Sequence, residues 1–135
     1  MVNVKIKIPN SKSMPNENKS KYDLEERTAV FGEKLILFLK GVPENTLNRP
    51  IVSQLVRSGT SIGANYCEAD GAESKRDFQH KMAICKKEAK ETTYWIRMLS
   101  LIQTERKEDL RILWKEAREL TLIFSKILIN SKITK

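Results

Sequence analysis

Residues 57–69 read Arg57-Ser58-Gly59-Thr60-Ser61-Ile62-Gly63-Ala64-Asn65-Tyr66-Cys67-Glu68-Ala69, and small or polar side chains stand where an ordinary bundle helix places Leu. Gly59 and Gly63 each cost roughly 1 kcal/mol relative to Ala inside a helix. Keeping both beside Ser58, Thr60, Ser61 and Ala64 predicts that another helix crosses very close. The helix carrying them is expected to open near Asn48, with Arg49 and Pro50 in its first turn, and to stop at Asp70-Gly71.

Helices are expected on both sides of this segment. Upstream, Asp23 is an N-cap with Glu26 three residues on, and the helix ends near Lys40-Gly41, before Pro43. Within it Leu35-Ile36-Leu37-Phe38-Leu39 is apolar on every side, where one stripe suffices for a bundle, so Leu35 and Phe38 are expected to meet another subunit. Downstream, Ser74 caps a helix in which Phe78, Met82, Cys85, Ala89, Thr92, Ile96, Leu99 and Ile102 alternate at four and three. After Gln103-Thr104 the same alternation returns as Leu110, Leu113, Ala117, Leu120, Phe124 and Ile127. Four helices with short connections predict an all-α, antiparallel up-down-up-down four-helix bundle.

Composition agrees with this class. The chain has 135 residues, 40% of them apolar and 31% charged, with only 5 Gly and 4 Pro, enough for one core without staples. Residues 9–21 are almost wholly polar, which predicts a flexible basic tail over 1–21 and a bundle domain over 22–135. Val2, Val4, Ile6 and Ile8 alternate with Asn and Lys and do not form a signal peptide. Cys67 and Cys85 without a CxxC read as reduced core residues of a cytoplasmic protein. Of the net charge of +8, residues 1–21 hold +4, five Lys against Glu17. A mildly basic body with a basic arm suits a polyanionic partner and also serves solubility alone.

The candidate sites lie on helix faces. Arg57, Ser61, Asn65 and Glu68 form a polar stripe that is expected to face Glu88 and Glu91 and to fix register and subunit contact through hydrogen bonds. A metal cluster of Glu68, Glu88 and Glu91 is not expected, because His80 is the only His and no Glu-x-x-His occurs. Arg76, Lys86, Lys87, Lys90 and Arg97 share a face that can reach phosphates; the plainer reading is a solvated face with Lys87 and Glu91 paired. Tyr94, Trp95 and Trp114 read as core or subunit contact in preference to stacking platforms. No catalytic set, phosphate loop or cofactor motif occurs, so neither an enzyme nor a cofactor is expected.

The segment 57–69, followed by Lys75-Arg76-Asp77-Phe78 and Glu88-Ala89-Lys90-Glu91-Thr92-Thr93-Tyr94-Trp95, resembles the bacterial 23S rRNA intervening sequence proteins from about Tyr22 to Ile127. Many relatives carry a Gly-Ser pair near Cys85-Lys86-Lys87, which this chain lacks. The resemblance implies a cytoplasmic bundle assembling as a ring, typically a homopentamer, with no known catalytic residues. Distant cousins include the accessory protein of diversity-generating retroelements, which binds nucleic acid and protein. The expectation is therefore a non-catalytic homo-oligomer that contacts RNA or DNA through its basic surface, or a scaffold for a protein partner, with no membrane contact.

Overall fold

The computed structural model describes residues 23–132, so the tail over 1–21 lies outside the described residues. The helices are α1 (Leu24–Leu39), α2 (Asn48–Asp70), α3 (Lys75–Ser100) and α4 (Lys107–Asn130), with a single 3₁₀ turn at Thr104–Arg106 before α4. No strand occurs among the described residues, and no described helix is long and apolar enough to cross a membrane.

The caps explain the boundaries. Asp23 accepts from the Glu26 amide at 3.2 Å and Ser74 from the Asp77 amide at 3.0 Å, each satisfying an orphan donor of a first turn. At α2 the capping carboxamide belongs to Asn45, which accepts from the Asn48 amide at 2.8 Å. Gly71 ends α2 with φ −99° and ψ 15°, and no described glycine has positive φ, so the stop does not use the left-handed conformation expected of Gly there. Gly41 instead leaves space for Arg106: a Cβ at Gly41 would lie 2.8 Å from Arg106 Nη1. Arg106 donates to the Phe38 carbonyl at 3.3 Å and stacks 3.9 Å above the Phe38 ring, which ties the end of α1 to the turn before α4.

Cross-helix contacts fix the topology as antiparallel. Gly59 meets Leu35 and Gly63 meets Thr28 between α1 and α2. Arg57 pairs with Glu91 and Lys81 with Glu68 between α2 and α3. Gln79 near the start of α3 donates to the Ser131 carbonyl just past α4, and Arg27 near the start of α1 reaches Glu119 well along α4. Sequential helices pack broadly, whereas α1 and α4 touch far more thinly. The heptad positions Met82, Cys85, Ala89, Thr92, Ile96 and Leu99 of α3 and Leu110, Leu113, Ala117, Leu120 and Phe124 of α4 are buried.

The girdle on α1 divides differently from expectation. Leu35, Phe38 and Leu39 lie in the subunit's own core, at 0%, 5% and 6% exposure, while Ile36 and Leu37 face outward at 42% and 65%. Leu35 and Phe38 are therefore corrected from subunit contacts to core residues. The cause is helical geometry, since 35, 38 and 39 share the inward face.

Candidate nucleic-acid interface

The outer face of α3 is built by the same period that builds its inner one. With Met82, Cys85, Ala89, Thr92, Ile96 and Leu99 turned inward, positions 76, 80, 83, 87, 90, 94 and 97 turn outward at four and three spacing. They are Arg76, His80, Ala83, Lys87, Lys90, Tyr94 and Arg97, of which all are exposed and none is acidic. Lys86 flanks this stripe and is half-buried. Helix α3 carries seven Lys or Arg against three Asp or Glu, a net of +4. Among the described residues, Arg76, Lys86, Lys87, Lys90 and Arg97 form no ion pair, whereas the seam residues Arg27, Arg57, Lys81 and Arg106 do.

Lys87 acts on Glu91 only at a distance and makes no ion pair with it, while the Glu91 oxygens are taken up by closer donors. Glu91 accepts from Arg57 Nη2 at 2.5 Å and from Trp95 Nε1 at 3.0 Å, and those donors, with Trp95 foremost, hold its carboxyl below the usual carboxylate range against the opposing effect of burial. Arg57 also donates to Glu88 at 3.1 Å, and its guanidinium is held more firmly protonated, chiefly by the hydrogen bond to Glu91. Glu88 is buried at 7% exposure and is neutralised by this contact.

Two members of the expected polar stripe, Ser61 and Asn65, do not cross the interface. Ser61 donates to the Arg57 carbonyl at 2.6 Å and Asn65 to the Ser61 carbonyl at 2.8 Å, both within α2. Glu68 accepts from Lys81 at 2.6 Å, which raises the Lys81 pKa, and so stands apart from Glu88 and Glu91. The buried polar link between α2 and α3 is Ser58 with Thr92: the Thr92 hydroxyl lies 2.9 Å from Ser58 Oγ and donates to the Glu88 carbonyl at 2.8 Å. Cys85 points at the Ile62 carbonyl at 3.6 Å, and burial pushes its thiol up to about 12, which makes it a poor nucleophile. Cys67 is exposed, contrary to its reading as a core residue. Among the described residues no group of three His, Cys, Asp or Glu side chains is placed to hold a metal.

The aromatics separate by exposure. Trp95 is half-buried against the core, and Trp114 is half-buried with the Arg118 guanidinium 5.6 Å from its ring centre. Tyr94 is 52% exposed, and its ring meets Trp95 edge-on at 5.0 Å and 79°. Two clefts border Trp114. One, about 750 Å³ between α1 and α4, is lined by Val30, Lys34, Ile112 and Leu122 and crossed by Arg27, which is bidentate to Glu116 at 2.6 and 2.9 Å. The other, about 470 Å³ between α3 and α4, is lined by Arg97, Lys107 and Arg111 over Ile96 and Leu110, with no carboxylate in its wall.

The sequence reading takes Tyr94 for core or subunit contact and weighs His80 as a metal ligand, so neither is assigned to the outer face of α3. Tyr94 and His80 continue the alternation that selects Arg76, Lys87, Lys90 and Arg97, so spacing alone could have placed them. Lys107, Arg111 and the Arg27 clamp come together only through tertiary structure.

Comparison with known proteins fits this architecture. No curated protein matches the chain. A crystal structure of a protein with unknown function from the S23 ribosomal protein family of Bacteroides thetaiotaomicron VPI-5482 is 30% identical, with a TM-score of 0.69, over 77% of this chain and 96% of that one. The family model for the 23S rRNA-intervening sequence protein matches residues 20–126, which take in α1, α2, α3 and most of α4, and the chain belongs to that family.

Proposed function

We propose that this protein is a non-catalytic, self-assembling module that binds RNA or DNA with little sequence preference through the outer face of α3. The observation that carries the reading is the cationic stripe: Arg76, Lys87, Lys90 and Arg97 project on one exposed face, without an ion pair among the described residues. Its length from Arg76 to Arg97, at about 1.5 Å of rise per residue, is roughly 30 Å, enough to follow several phosphates. Contacts of this kind position a backbone and carry no base information. The family name describes where an intervening sequence lies and identifies no ligand for this chain.

Assembly is the second part of the reading. The α1–α4 cleft is lined by Ile112 and Leu122 at 57% and 56% exposure, with Leu37 at 65% in the adjoining hollow that shares Lys34 and Ile112, and an apolar surface of this kind suits subunit contact. In a ring homopentamer of the sort the resemblance implies, Trp114 would line that contact and α3 would present one stripe per subunit to a shared polyanion. Trp95, held against Glu91, belongs to the α3 face and not to this cleft. A protein scaffold is the alternative, favoured by the same cleft if a partner occupies it in place of a second copy.

Mobility-shift titration with unrelated sequences at roughly 50 and 200 mM salt tests the nucleic-acid reading, because several phosphate contacts give a large loss of affinity over that range. The expected result is similar affinity for every sequence and a steep salt dependence. Replacing Lys87 and Lys90 by Glu is expected to weaken binding to all of them and to flatten the slope. Absence of any shift at the lower salt would leave the scaffold reading standing.

A further inference from the structure

Resting on that reading, we infer that the nucleic acid is single-stranded and that Tyr94 is the platform on which one of its bases stacks. Three independent features of the α3 surface converge on this residue.

The first is its position. Tyr94 stands between two of the unpaired cations, with Lys90 four residues before it and Arg97 three residues after it on the same outer face. A phenol ring between two phosphate-binding side chains matches the alternation of base and phosphate along a single strand. In a duplex the base faces are stacked inside, and the ring could meet only base edges or the backbone, with no face to stack on.

The second is that the ring is held and yet open. Trp95 packs edge-on against Tyr94 at 5.0 Å, and the Trp95 indole is itself anchored by its N–H to Glu91 at 3.0 Å. Glu91 is tied in turn to Arg57 of α2. The platform is thus fixed before a ligand arrives, which removes part of the ordering cost of binding. At 52% exposure the ring still offers a face to solvent.

The third is that the cationic path continues beyond α3. Arg97, at the end of the stripe, also lines the cleft of about 470 Å³ between α3 and α4, where Lys107 and Arg111 stand opposite with no acid in the wall. Arg111 has Glu108 nearby at 3.5 Å, an exposed and weak pairing that leaves Lys107 and Arg97 as the principal cations of the cleft. The phosphates flanking a base on Tyr94 therefore have cations on both sides, Lys87 and Lys90 before it, Arg97 and Lys107 after it.

The test compares four probes and three variants on the full chain. The probes are a single-stranded oligothymidylate, a single-stranded oligouridylate, the thymidylate length with abasic sites that keep every phosphate, and a blunt duplex of the same length. On wild-type protein both intact single strands are expected to bind about tenfold more tightly than the abasic strand or the duplex. Tyr94→Ala is expected to lower the intact strands to the abasic level without changing the slope of affinity against salt, since no charge is lost. Tyr94→Phe, which keeps the ring, is expected to bind as wild type. Lys107→Glu is expected to weaken every probe and flatten the slope. Equal affinity for duplex and single strand, or for intact and abasic strands, would overturn the inference and leave a phosphate-only binder. Failure to bind any probe would overturn the nucleic-acid reading itself. The abasic comparison on wild-type protein decides the question even if a variant folds poorly.

Discussion

Gly63 sits where α2 crosses α1, and a Cβ built there would lie 3.2 Å from Thr28 Oγ1, 3.4 Å from Thr28 Cβ and 3.5 Å from the Thr28 backbone carbon. At Gly59 the added carbon would overlap the fully buried Leu35 side chain and would lie 3.7 Å from Phe31 Cε2. The close crossing was legible in the sequence because two glycines inside a helix oppose its propensity. What could not be read was the partner, and with it Gly32, whose contact with Thr60 near 3.9 Å places a third glycine at the same crossing. Gly63→Leu is expected to overpack the contact and lower stability by about 1–3 kcal/mol. Gly63→Ala should stay near wild type, because a helix-propensity gain of roughly 1 kcal/mol opposes the small push on Thr28. Gly59→Ala should be the more harmful of the two alanines, since Leu35 must turn inside a filled core. Urea denaturation orders the three variants, and a raised midpoint for both Gly63 variants would show that no helix presses on that position.

At the level of the α2–α3 seam, regular spacing revealed a polar stripe but not its partners. Arg57 finds Glu88 and Glu91 as expected, whereas Ser61 and Asn65 close onto carbonyls four residues back on their own helix. A hydroxyl or amide always has that local acceptor within reach, so spacing cannot tell whether it crosses to a neighbour. A further link that crosses, the buried pair Ser58 and Thr92, was hidden among small residues and heptad positions. The pH dependence of this seam follows from Glu91, whose folded carboxyl is held low by Trp95 and Arg57. A depressed folded pKa contributes stability above the unfolded value, near 4.3 for Glu, and that contribution disappears as pH falls through the folded value. Glu91→Gln should therefore be less stable than wild type at neutral pH, with the difference shrinking as pH falls below the unfolded value. Arg57→Ala should cost on the order of 1 kcal/mol at pH 7, because it leaves Glu88 buried with its charge uncompensated while Arg57 itself is half in water. Chemical denaturation at several pH values separates the two, and a gap between wild type and Glu91→Gln that does not close in acid would rule out the assigned role.

For the molecule as a whole, the helical pattern carried the four-helix topology almost completely, while charge and apolar surface had to wait for the tertiary structure. Three of the five members of the apolar run on α1 fill the core of the chain itself. What remains outside, Ile36 and Leu37, lies on the helix that bounds the α1–α4 cleft, and Ile112 and Leu122 join it from α4. Helix α3 does not border this cleft, so assembly through it leaves the cationic stripe free on every subunit. Sedimentation or light scattering at micromolar concentration is expected to give several times the 15.6 kDa chain mass. Leu37→Glu with Ile112→Glu should return the mass toward one chain with helicity retained, because both side chains are already exposed and contribute little to the fold. If the stripes of several subunits hold one strand together, the same double variant should also bind long oligonucleotides much more weakly than wild type. Its affinity for an oligonucleotide short enough to meet a single stripe should be unchanged, since only the effective concentration of linked sites has been lost. A wild-type chain that sediments as a monomer would refute assembly outright, and an equal loss on short and long strands would place the two exposed residues in the binding face instead of the subunit contact.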